Sequence, residues 1–82
     1  MKNHPHTFVA VLASSRDNLR NGKVTKLGMP SMDGKKVEKQ LRRNLEINHG
    51  WWGKIDRTTK HGTDCFKGFE NIDGRLFPRN NL

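Results

Sequence analysis

The chain is poor in apolar residues and poorer still in acids. Hydrophobic residues make up 32% of its 82 residues, below the roughly 45% of ordinary globular domains on a count that includes glycine. A thin core follows. A domain of this length buries only about 60–65% of the surface its unfolded chain exposes, so the stability margin is small. No apolar run approaches the ~18 residues needed to cross a bilayer, which excludes a transmembrane helix. Residues Met1 to His6 are followed by no long apolar stretch or small-residue cleavage site, so no signal peptide is expected. The single cysteine, Cys65, excludes an intrachain disulfide. It fits a reducing, cytoplasmic setting, because small secreted domains usually carry several bridges. Without a staple, partner binding or self-association is expected to add to stability.

The motifs of common chemistry are missing as well. No Cys-x2-Cys or His-x3-His pair is present to hold zinc, and His61-x3-Cys65 encloses a glycine that favours a turn. The eight glycines are dispersed, with no phosphate-cradling loop ending in Lys-Ser or Lys-Thr. Cys65 with His61 or His49 lacks any nucleophile signature. Asp56, Asp64 and Asp73 sit where turns and strand ends use aspartate. Neither a metal, a cofactor nor a catalytic residue is therefore expected.

What the chain does have is positive charge. Sixteen Lys and Arg face eight Asp and Glu, a net +8, with a pI near 10.3. Such an excess favours polyanions, nucleic acid first and anionic membrane surface second. Yet one convincing helix is too few for a helix-turn-helix, and no ribonucleoprotein aromatic motif, GXXG loop or zinc-finger spacing appears.

Residues 1–6 read as a loose arm and residues 7–82 as one small domain. Thr7–Ala13 (TFVAVLA) is apolar on both alternating faces and reads as a buried central strand. Asn21-Gly22 is a hairpin signal, with KVTKL behind it alternating like a strand; a helical turn from Ser14 or Ser15 competes for SSRDNLR. Gly28 and Pro30 are expected to break the chain. A helix follows over roughly Met32 to Asn48, capped by Ser31 or Asp33, with Gly50 as its stop. A strand is expected from Trp52 to Thr58, a turn at His61 to Asp64, and a second hairpin CFKGFENI–Asp73-Gly74–RLFPR. Pro78 places the last strand at an edge or ends it. The fold class is α+β, a small antiparallel sheet with one main amphipathic helix packed on it.

Two features stand out. Val37, Leu41 and Leu45 form one apolar helix stripe. Lys35, Lys36, Lys39, Arg42 and Arg43 gather on the other side with only Glu46 among them, while Glu38 on the flank can pair with Arg42. The outer face of any sheet-packed helix is commonly charged, but here few acids compensate. About five phosphate contacts from this face and nearby cations would give a salt slope of about −4 to −5. The second feature is Trp51-Trp52, between two glycines. Neighbouring indoles on a strand point to opposite faces. One can enter the core while the other stacks on a base or anchors an interface; the alternative is that both serve the core.

In size, basicity and lack of a DNA-reading motif, with the basic segment KKVEKQLRR and the GWWG pair, the chain resembles small basic bacteriophage repressor modulators of the Bof (Lxc) corepressor type. The resemblance spans the whole length as a match of size and charge, and no residue role is carried over from it. It implies a non-enzymatic accessory protein that joins a repressor–DNA complex. On this reading the partners are DNA, met through its backbone, and a transcriptional repressor protein, with no membrane. Two other readings compete: a protein-binding inhibitor of a host enzyme, and an RNA-binding or ribosome-associated protein.

Overall fold

The computed structural model describes residues 6–80; the arm expected over residues 1–6 lies, apart from His6, outside the described residues. The elements run β1 (Thr7–Ala13), α1 (Arg16–Arg20), β2 (Thr25–Ser31), α2 (Gly34–Glu46), β3 (Trp52–Thr59), β4 (Gly62–Ile72) and β5 (Arg75–Pro78). The five strands form one antiparallel sheet in the order β2-β1-β3-β4-β5. This is the expected α+β class.

Strand β1 lies between two strands and between two layers, which explains its apolar character on both faces. Ala10 and Leu12 turn toward α2 and join Val37, Leu41, Leu45, Ile55 and Phe69 in the main core. Val11 and Ala13 turn the other way and meet Leu19 of α1, with Val24 and Trp52 at the margin. The apolar stripe of α2 is buried as its four-residue spacing requires, with Leu41 and Leu45 wholly enclosed.

Three local expectations are corrected. Asn21-Gly22 does not make a hairpin. Ser15 Oγ accepts from the Asn18 N–H at 3.1 Å and starts α1, and Gly22, at φ 80°, closes it. The Asn18 carbonyl then accepts from Lys23 N–H at 2.9 Å, the long bond of a glycine-terminated helix. The left-handed glycine thus serves a helix end where a two-residue turn was expected. Nor do Gly28 and Pro30 break the chain. They sit in a bulge of β2, between the pairs Leu27–Ala10 and Ser31–Phe8, on an edge where a missing N–H costs no ladder bond. The turn expected at His61 to Asp64 is confined to Lys60 and His61, so β4 starts at Gly62. Cross-strand pairs extend the ladder there: Thr58 and Thr63 share a hydroxyl bond of 2.9 Å, and Arg57 holds Asp64 at 2.9 Å.

Other signals held. Asp73 and Gly74 both take positive φ, 54° and 89°, forming the two-residue turn between β4 and β5. Strand β5 is an edge and ends at Pro78. Helix α2 is two residues shorter at each end than the expected Met32–Asn48. Asp33 is its N-cap, accepting from Lys36 N–H at 3.1 Å. Ser31, the other candidate, accepts from Asp33 N–H instead.

Candidate functional site

Helix α2 begins where β2 ends and runs back across the sheet. Its inner stripe fixes its rotation, so the outer residues are placed by the core. The five cations of this helix are all exposed, but they do not form one uniform row. Lys36, Lys39 and Arg43, with Gln40 and Asn44, line one open groove of about 420 Å³. This flank faces the edge strand β2, because Gln40 lies against Gly28; a Cβ there would stand 3.3 Å from the Gln40 amide nitrogen. Asn44 donates to the Gln40 carbonyl at 2.9 Å, which ties the groove floor to the helix backbone.

Arg42 belongs to the opposite flank. Its Nε donates to Glu38 at 3.1 Å, and its guanidinium lies 4.8 Å from the centre of the Phe69 ring. Glu38 also accepts from Lys67 Nζ at 2.7 Å. The Lys67 hydrogen bond above all, with help from Arg42 and against partial burial, holds the Glu38 carboxyl below the usual carboxylate range. Lys35 stands apart again, at the mouth of a groove with Phe8, Met32 and Phe66 near the start of α2. The five residues grouped by sequence thus divide into an unneutralised trio, one cation held in a network, and one beside an apolar groove.

A bulge in β4 builds that apolar groove. Ile55 pairs with Lys67 and Asp56 with Cys65, leaving Phe66 as the extra residue. Phe66 packs against Phe8 with ring centres 5.1 Å apart and ring planes tilted by 59°, and Lys67 reaches the helix. Sequence reasoning missed this aromatic pair, since nothing in CFKGFENI marks the residue where the register slips.

The two indoles do point to opposite faces. Trp51 packs against the α2-side core and Trp52 against the α1-side cluster. Each is half-buried, so the division into one core and one exposed indole is not seen. Trp52 lies 5.8 Å from the Arg16 guanidinium and lines a groove with Glu70 and Arg79 on the face away from α2. Pairing places Trp52 opposite Glu70.

Cys65 is exposed on β4, where desolvation above all pushes its thiol up from the ordinary value. No hydrogen bond joins it to His61 or His49 among the described residues; its Sγ points to the Lys67 carbonyl at 3.8 Å. His49 sits beside Gly74 at the end of the sheet where α2 terminates. Among the described residues no three His, Cys, Asp or Glu side chains gather as metal ligands, and no helix is long and apolar enough to cross a membrane. Comparison with known proteins finds no matching family, no similar curated sequence and no similar solved structure.

Proposed function

We propose that this protein is a non-enzymatic accessory nucleic-acid-binding protein that modulates transcription by joining a repressor–DNA complex, a corepressor of the bacteriophage type it resembles. Helix α2 contacts DNA phosphates through Lys36, Lys39 and Arg43, with Lys35 and Arg42 at the margins. The observation that carries this reading is the basic groove on α2. Three cations line it, and among the described residues none has a carboxylate within ion-pair distance. Lys and Arg so placed neutralise phosphates and release counterions, and such contacts position a protein on a duplex without reading its sequence. The repressor is met by another face, where Trp52 supplies the apolar anchor and Arg16, Glu70 and Arg79 a polar surround.

The test is electrophoretic retardation of operator DNA over a salt series, with and without repressor. A ternary complex tighter than the repressor–DNA complex supports the corepressor role. Retardation without any gain from repressor leaves a general DNA-binding protein. A second reading, a protein that binds and inhibits a host enzyme, is favoured by one observation. The Phe8–Phe66 groove is apolar and carries Met32, 69% exposed, at its rim. Capture of one host enzyme with loss of its activity, and no DNA retardation at low salt, would establish that reading instead.

A further inference from the structure

Ion pairs neutralise some of the cations and leave others, Lys60 and Arg75 among them, with no carboxylate within ion-pair distance among the described residues. Glu38, Asp56, Asp64 and Glu70 take up Arg42, Lys67, Lys54, Arg57 and Arg79. These cations lie on β3 and β4, just after β5, and on the α2 flank that faces β4. A denser group of unpaired cations lies at the α1–β2 connection. Arg20, Lys23 and Lys26 at the α1–β2 connection are exposed. Like the groove trio of α2, they have no carboxylate within ion-pair distance among the described residues.

The register brings the C-terminal part of the α2 trio and the α1–β2 cations toward one end of the sheet. Leu12 pairs with Thr25 and Val11 with Lys26. Leu41 and Leu45 sit over Leu12 and Gly53, since a Cβ on Gly53 would meet Leu41, Leu12 and Leu45 within 3.3 Å. The C-terminal half of α2 therefore stands over the first half of β2, with Gln40 touching Gly28. Lys26, in register with Val11, stands on the sheet face away from α2, and the turn that carries Lys23 next to it is fixed by a bond from Lys23 N–H to the Asn18 carbonyl.

We infer that the polyanion surface extends from α2 across the β2 edge to Arg20, Lys23 and Lys26, and that its ligand is a double-helical phosphate backbone. The inference rests on the nucleic-acid reading of α2 and adds to it a second row of contacts. A duplex offers two phosphate strands across a groove, which suits two rows of cations. A single strand is held by aromatic stacking along a basic track. Among the described residues no aromatic side chain lines the α2 groove, and the Phe8–Phe66 pair lies with the paired cations, where Arg57 and Lys67 approach Phe66.

Fluorescence anisotropy with a short labelled duplex at low salt tests this. The variant Lys23→Glu/Lys26→Glu is compared with Lys60→Glu/Arg75→Glu, which changes net charge equally at exposed cations outside the surface. The first pair should weaken duplex binding about 10-fold or more and reduce the salt slope by about 2. The control pair should cost less than about 3-fold, as expected for long-range charge alone. Urea midpoints confirm that both variants fold.

Equal effects from the two pairs would overturn the inference, as would single-stranded DNA of the same sequence binding as tightly as duplex. Displacement of the duplex by phosphatidylserine vesicles or polyglutamate at equal charge would also overturn it. The two levels fail differently. If Lys36→Glu/Arg43→Glu abolishes binding while Lys23→Glu/Lys26→Glu matches the control, the α2 reading stands and this inference falls. If the intact protein binds no duplex at low salt, both fall.

Discussion

The side-chain amide of Asn71 donates to the carbonyl of Leu45 at 2.6 Å. Asn71 is fully buried and reaches the Glu46 carbonyl as well, at 3.3 Å, while its Oδ1 accepts from the Gly74 N–H at 2.7 Å. One side chain thus satisfies carbonyls at the end of α2 and fixes the β4–β5 turn beneath it. Its backbone adds two more bonds, to Gly50 and Trp51. The direction of the basic helix over the sheet depends on this joint.

Replacing Asn71 by Leu should therefore destabilise the fold by about 2–4 kcal/mol, since buried carbonyls and an N–H lose their partner. The urea midpoint measures it. An unchanged midpoint would mean that water reaches these groups and that the joint contributes little.

Gly53 lies where the sheet comes close beneath the helix. A Cβ there would stand 2.8 Å from Leu41 Cδ1, so Gly53→Ala should cost about 1–3 kcal/mol by overpacking. Gly50→Ala also costs stability but for another reason, its φ of 82°. Thermal unfolding of the two variants, each combined with Leu41→Ala, separates the causes. The cavity left by Leu41 should relieve Gly53→Ala and leave Gly50→Ala unaffected.

Much of this was legible in the sequence, and the parts that were not have identifiable reasons. The spacing of Val37, Leu41 and Leu45 gave the helix and its inner face, and Asp73-Gly74 gave the last hairpin, because each is a local pattern with one good solution. Asn21-Gly22 misled because a left-handed glycine ends a short helix as readily as it turns a hairpin. The grouping of five cations on α2 was correct as geometry of an isolated helix. It could not show that Lys67, distant in sequence and shifted by the β4 bulge, would meet Glu38 and set Arg42 apart. The role of Asn71 at the helix end was likewise invisible, since its partners there lie 25 and 26 residues away.

That separation makes Arg42 and Arg43 unequal neighbours. Arg42→Ala removes a cation–ring contact and an ion pair, together about 0.5–1 kcal/mol of stability at this exposure, with a small effect on DNA affinity. Arg43→Ala should leave stability within about 0.5 kcal/mol and weaken DNA binding several-fold. Equal binding losses would remove the distinction between the two flanks.

The Glu38 network also sets a pH dependence. Its folded pKa lies below its unfolded one, so the stabilisation it gives is complete above the unfolded value, near ~4.3, and fades as pH falls through the folded value. Stability of the intact protein should therefore exceed that of Glu38→Gln at neutral pH, and the gap should narrow from about pH 5 to pH 3. A gap constant over that window would show that the carboxylate's charge is not what holds Lys67 and Arg42.

Whether the outer face of α2 contacts phosphates is decided most directly by the salt dependence of duplex binding for Lys36→Glu/Arg43→Glu beside the intact protein. Loss of two contacts should lower affinity and reduce the slope of log K against log salt by about 2. An unchanged slope, with the variant folded, would contradict the assignment of this face to nucleic acid.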